Sequence, residues 1–251
     1  MHSKMILLLW LRMKSKSFPS FIHFFGPDGS GKSTHVDILV GVLRERGIKA
    51  EKCWVRAHHT IAFVLWRLFV TIGFYRVVVN PFGIATKIPA VDRSRLLQFF
   101  WSIIELIGVI PLILRVRYSL WMGRTMVAER YLLDTVTTIA YFLNDLNFLY
   151  SRTSRLLLRF LPKDAVFILL DSDYETIFQR RAPFFNTKAT KSCKKEYGAI
   201  PRSSVEPRVF IDFQRRAYEL LAGSIDTLMI DTSKHSVEET SKTILQYLHL
   251  N

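Results

Sequence analysis

The residues best able to do chemistry lie in one short run. Gly26-Pro-Asp-Gly-Ser-Gly-Lys-Ser33 fits G-x-x-x-x-G-K-[ST] at every fixed position. That spacing suits a polyphosphate. The glycines Gly26, Gly29 and Gly31 let successive backbone N–H groups turn inward onto an anion. A helix beginning at the end of the loop adds positive partial charge. Lys32 is placed to reach the β- and γ-phosphates of ATP, and Ser33 to set its hydroxyl on Mg²⁺. The candidate nucleotide-binding residues are therefore Gly26, Asp28, Gly29, Ser30, Gly31, Lys32, Ser33 and Thr34. Kinases, GTPases and ATP-driven motors all use such a loop. The N-K-x-D run with which a GTPase reads its base does not occur in the sequence.

The loop must be positioned by a strand before it and a helix after it, and the sequence supplies both. Phe21–Phe25 reads as a short buried strand. Thr34–Arg46 carries apolar residues at helical spacing, with Gly47 as the stop. Further strands are expected at Ile48–Trp54, Thr125–Ala128, Ala165–Leu170 and Ile225–Ile230. Helices are expected at Asp134–Leu146 and Asp173–Arg181, each with an Asp cap. Ser236-Val-Glu-Glu239 reads as a capping box opening a last helix to about Leu248. Strands alternating with helices predict a five-stranded parallel sheet in a three-layer α/β/α domain of P-loop type. Ligands then bind beyond the carboxyl ends of the strands. Two stretches break the alternation. Ala57–Leu120 is apolar and reads as a helical acceptor-binding region. Ala182–Arg208 is basic and proline-bearing and reads as a lid.

Five segments resemble the thymidylate kinase family, across roughly Phe21 to Leu248. They are Phe25-Gly-Pro-Asp-Gly-Ser-Gly-Lys-Ser-Thr34, Val127-Ala-Glu-Arg-Tyr131, Thr138-Ile-Ala-Tyr141, the run from Leu169 to Arg180, and Phe213-Gln-Arg-Arg-Ala-Tyr-Glu-Leu-Leu-Ala222. The resemblance implies roles residue by residue. Arg130 and Tyr131 match the family's D-R-Y segment, with Arg130 on the acceptor phosphate. Glu129 stands where the family has aspartate, to orient Mg²⁺ or the acceptor. Asp28 helps place acceptor and metal. Arg56 matches an acceptor-binding arginine, and His58 or His59 could touch the acceptor. Phe99 or Phe100 would stack on a base. Arg180, Arg181 and Arg202 are candidates for arginine fingers near the lid. Two departures bear on the acceptor. The family's R-E-P-G-G-T reads Trp54-Val-Arg-Ala-His-His-Thr60 here, and the arginine expected four residues after the stacking phenylalanine is Ile103 or Ile104.

The expected reaction is in-line transfer of the γ-phosphoryl of ATP, with Mg²⁺, to a phosphorylated small molecule such as a nucleoside monophosphate like dTMP. Lys32, Arg130, Asp28, Arg180 and Arg181 form the catalytic set, and Ser33 and Glu129 hold the metal. Two rivals share the loop: a membrane-associated kinase of a lipid-linked phosphate, and a nucleotide-hydrolysing switch. The net charge of +14 over 251 residues favours anionic partners. No basic-aromatic motif points to nucleic acid. A homodimer and a peripheral membrane contact are both compatible with the composition. With 49% hydrophobic residues the chain can bury a large core. Cys53 and Cys193 show no metal or disulfide spacing, which points to a reduced, cytoplasmic setting. Residues 1–19 read as an N-terminal extension. Its apolar Met5–Leu11 is flanked by Lys4, Arg12, Lys14 and Lys16, and is too short to span a bilayer.

Overall fold

The computed structural model describes residues 18–54, 61–79, 85–181 and 207–250. Five strands form one parallel sheet: β1 (Phe21–Phe25), β2 (Ala50–Trp54), β5 (Thr125–Arg130), β6 (Val166–Asp171) and β7 (Thr227–Asp231), in the order β2-β5-β1-β6-β7. Helices cover both faces. On one lie α1 (Lys32–Glu45) and α8 (Val237–Tyr247), packed through Val36, Leu39 and Ile244 onto Ile22, Phe24 and Ile168. On the other lie α3 (Arg95–Trp121), α4 (Leu132–Leu143), α5 (Arg152–Leu158) and α7 (Arg208–Ala222), packed onto Phe21, Phe25, Met126 and Leu169. Every residue of β1 is buried, as a central strand covered on both sides must be.

The sheet order makes a site. The chain leaves β1 through α1 toward the β2 edge. It leaves β6 through α6 (Tyr174–Arg181) toward β7. Neighbouring strands whose exits diverge open a crevice at their carboxyl ends. The predicted strands and the last helix are observed within two residues, and the Ser236–Glu239 box is formed by both of its hydrogen bonds. Asp173 caps α6 by accepting from the Thr176 amide at 2.8 Å. Asp134 is different. Its helix starts two residues earlier, at Leu132, and the carboxylate turns back to accept from the Tyr131 amide.

The region expected to be helical between strands two and three is not helical throughout. After α2 (Ile61–Thr71), Gly73 at φ +81° ends the helix. The run Tyr75–Val79 (β3) then pairs antiparallel with Ala85–Pro89 (β4). The physical reason is local. Val77-Val78-Val79 is β-branched and favours a pleated strand over a helix. Trp66 on α2 donates its indole N–H to the Lys87 carbonyl at 2.8 Å and ties the hairpin down.

The inner face of α3 carries Trp101, Val109, Ile113 and Val116 into the core, and with them Glu105. Both Glu105 carboxyl oxygens are buried without a hydrogen-bond partner, and burial pushes the group up to about 7. Its stabilising neutral form is fully present below the ordinary value of 4.5, and that stability is lost as pH rises through about 7. At about 1.4 kcal/mol per unit the loss is roughly 3 kcal/mol. Melting temperatures measured from about pH 4.5 to about pH 8 are expected to fall in the native protein and stay level in Glu105→Gln. Parallel pH profiles would show that Glu105 is not the group responsible.

Candidate functional site

The glycine-rich loop leaves β1 at its carboxyl end, and its shape depends on absent side chains. A Cβ on Gly26, at φ +142°, would stand 2.1 Å from the Leu170 carbonyl oxygen. One on Gly29, at φ +97°, would stand 2.8 Å from Ile177 of α6. Only glycine permits both the backbone angles and the close seat of β6 and α6 against the loop. Lys32, the first residue of α1, is buried and bends back over the loop. Its Nζ donates to the carbonyls of Gly26 at 2.8 Å and Pro27 at 2.6 Å.

Around that ammonium the structure gathers a charged network. Asp28 lies 4.0 Å from Lys32 Nζ and pairs with Arg130 at the end of β5. Arg130 also approaches Asp134 Oδ1 at 3.4 Å. Asp134 is fully buried and holds the network in place. It accepts from Tyr218 Oη at 2.8 Å, from the His23 ring at 3.2 Å and from the Tyr131 amide at 3.2 Å. Burial alone would raise its carboxyl. The His23 hydrogen bond and the Arg130 and Lys32 charges outweigh that and hold it below the ordinary value. A guanidinium clamped between two carboxylates keeps one direction, which is what the recognition of an anion requires.

Next to this network Ser33 Oγ donates to Glu129 Oε1 at 2.5 Å. Among the described residues no three His, Cys, Asp or Glu side chains gather into a protein-only metal cage. A hydroxyl beside a carboxylate nevertheless fits Mg²⁺, a hard ion that keeps several waters and takes few protein oxygens.

The two arginines ending α6 separate. Arg181 brings its Nε to 3.3 Å from where a Gly29 Cβ would be, directly over the loop. Arg180 turns away from it. Its guanidinium donates to the Thr232 hydroxyl at 3.0 Å and carbonyl at 2.5 Å. With Ser30, Thr34, His35 and Thr232 it lines a pocket of about 370 Å³ beside the loop. Thr232, just past β7, closes the wall by donating to the Ser30 carbonyl at 3.1 Å. The His35 Nδ1 lies 3.0 Å from Ser241 Oγ, and burial, aided by the Arg180 charge, lowers its pKa. Arg181 thus lies over the loop, and Arg180 lies against Thr232 in the wall of the pocket beside it.

Other expectations change as well. Tyr131, expected beside the acceptor, is wholly buried against Phe21 and His23 and packs in the core. Phe99 and Phe100 lie on the outer face of α3, exposed and packed on each other at 5.8 Å, because the helix turns Trp101 inward instead. They line neither of the two pockets described. Arg56, His58, His59 and Arg202, residues 182–206 of the expected lid and residues 1–17 lie outside the described residues, and Arg208, the last residue of that expected lid, opens α7. A larger cleft of about 670 Å³ opens between β3, the end of α4 and the start of α7, with Arg76, Tyr141, Tyr174 and Arg208 on its walls. Tyr141 is nine residues along α4 from Leu132, about 14 Å from the Arg130 end.

Sequence reading missed His23, His35 and Thr232. Asp134 and Tyr218 were noticed only as a cap and a motif member. Asp171 and Arg215 came from two separate matched segments and join in a two-pronged pair, at 2.9 and 2.7 Å, that ties β6 to α7.

Fold and site together define an α/β protein with a five-stranded parallel sheet flanked by helices and a glycine-rich loop at the carboxyl end of its central strand. Compared with protein-family models and with curated proteins, the chain matches none.

Proposed function

We propose that this protein is a P-loop phosphotransferase, similar to thymidylate kinases, that moves the γ-phosphoryl group of ATP onto a nucleoside monophosphate. The observation that carries the reading is the convergence of Lys32, Asp28 and Arg130 with the Ser33–Glu129 pair at the carboxyl ends of β1 and β5. Two polyanions brought together need cations between them and little else.

The residues divide that task. Backbone N–H groups of the loop hold the donor phosphates. Lys32 exchanges its two carbonyl partners for phosphate oxygens, and its charge follows the transferring group. Arg130, aimed by Asp28 and Asp134, meets the acceptor phosphate on the β5 side. Arg181 covers the loop from the opposite side. The acceptor phosphate oxygen is already a nucleophile, so no general base is required. Ser33 and Glu129 would hold Mg²⁺, which when bound neutralises charge on the donor phosphates. The pocket walled by His35, Arg180 and Thr232 would take the nucleoside end of ATP.

The two arginines are predicted to fail differently. Arg180→Ala is expected to raise KM for ATP about tenfold with little change in kcat, because it removes ground-state contact. Arg181→Ala is expected to lower kcat, because its charge acts on the transferring phosphates. Steady-state kinetics with ATP varied separates them, and a reversed pattern would reject the assignment.

The reading as a whole is tested by purified protein with MgATP and a panel of nucleoside monophosphates, scored by acceptor-dependent ADP release. ADP release indifferent to every acceptor would favour a hydrolytic switch. The inward face of α3 carries no arginine to direct at a base, so discrimination between dTMP and dCMP or dGMP should stay below about a thousandfold.

A further inference from the structure

One long surface, the outward side of α3, serves neither the core nor the charged network. The helix α3 runs 27 residues, and its inward face carries Trp101, Glu105, Val109, Ile113 and Val116. Its outward face is also apolar. Leu96, Phe100, Ile107, Leu114, Tyr118 and Trp121 follow one another at intervals of three, four or seven residues. All are exposed, Leu114 at 63% and Trp121 at 80%. This spacing makes one stripe along the whole helix. By length and composition the helix could cross a membrane, but a third of its most apolar window is buried in the fold. The inner face is committed to the core, so the helix can present only its outer side.

The charges beside the stripe choose its occupant. Arg115 and Arg117 lie exposed on its two flanks, and Arg117 also donates to the Phe160 carbonyl at 3.3 Å. Neither α2 nor α3 carries a carboxylate except Glu105, which faces inward and is buried. A second copy of the chain would lay this face on itself. Arginines would then meet arginines, with no carboxylate on either helix to receive them. A surface that is apolar in depth and anionic at its rim answers both features. Aliphatic side chains enter the acyl layer, Tyr118 and Trp121 sit at the headgroup level, and the guanidiniums meet lipid phosphates. The chain's net charge of +14 acts in the same direction.

We infer that the outer face of α3 is a docking surface for an anionic phospholipid bilayer, with the helix lying in the plane of the interface. The inference is independent of the proposed reaction, since binding is read without turnover. The test is flotation of the full-length protein with phosphatidylcholine vesicles, with and without phosphatidylserine. The native protein should float with the phosphatidylserine vesicles. The double variant I107E/L114E should lose at least about tenfold in partitioning, because two aliphatic side chains no longer enter the acyl layer. Arg115→Gln should weaken binding about fivefold to the anionic vesicles and leave any binding to phosphatidylcholine alone unchanged. Native protein that stays with neither vesicle, or a double variant that floats as well as the native chain, overturns the inference. So does light scattering that shows a native dimer and a monomeric double variant, which would make a second copy the occupant. Should the double variant melt abnormally, Trp121→Phe gives a second reading. Brominated acyl chains should quench native fluorescence and quench the variant less, and equal quenching would place Trp121 away from the bilayer.

Discussion

Replacing Lys32 by Ala is expected to lower turnover by about 100- to 1,000-fold while the protein stays folded. Its Nζ is held against the Gly26 and Pro27 carbonyls, inside a loop shaped by Gly26 and Gly29. The ammonium is thus kept beside the place where donor phosphates would sit. Asp28 retains Arg130 when the ammonium is removed, so no carboxylate is stranded. The loss should therefore fall on kcat and on kcat/KM alike, as it does when an interaction develops mainly in the transition state. A melting curve within a few degrees of native, together with collapsed ADP production, is the expected pair of results. Near-normal turnover in this variant would end the phosphotransferase reading.

The second large effect is on stability. Asp134→Ala removes the shared partner of Arg130, His23 and Tyr218 inside a site with almost no solvent access. Arg130 keeps Asp28, but the His23 and Tyr218 donors stay buried without a partner, at about 1 to 3 kcal/mol each. Set against a total of about 5 to 15 kcal/mol, that is a large share. Thermal or urea unfolding measures it directly. The pH dependence has a defined sign. The folded Asp134 carboxyl lies below its ordinary value of 3.8. Its contribution is therefore present above that value and is lost as pH falls through the lower folded one. Native protein should lose stability on acidification below about pH 4, and Asp134→Asn should lose less over the same range. An alanine variant as stable as the native chain would show that the network does not hold Arg130 in place. Should Asp134→Ala fold poorly, Asp134→Asn still tests the positioning role. Its kcat should fall and KM for ATP should stay, since Arg130 loses one of its two anchors.

What the sequence determined by itself is the part governed by short-range rules. The loop was legible because its glycines, lysine and serine act at fixed spacing within eight residues, and the capping box because both of its bonds span three residues. The sheet strands were legible as short apolar runs between turn residues. The paired strands Tyr75–Val79 and Ala85–Pro89 were not, because the valines of the first continue the apolar run of α2, and the break at Gly73 is a single residue.

Only the tertiary structure decided which side chains meet. His23 and Asp134 are 111 residues apart, and Tyr218 and Asp134 are 84 apart. They come together because β5 and β6 flank β1, while α4 and α7 cover the same face of the sheet. Alternation along β1 could not reveal His23, since both faces of a central strand are buried and its polar residue is surrounded by apolar neighbours in either direction. Arg180 and Arg181 are adjacent in sequence and equal in charge. One helical step of about 100° sends the first to Thr232 and the second over Gly29. The same rotation decided α3. By residue type Phe99 and Phe100 suit a pocket, but in the fold Trp101 takes the inward position and leaves an apolar stripe facing out. A periodic pattern fixes which residues share a face, but the direction of that face depends on which neighbours the sheet order places beside the helix.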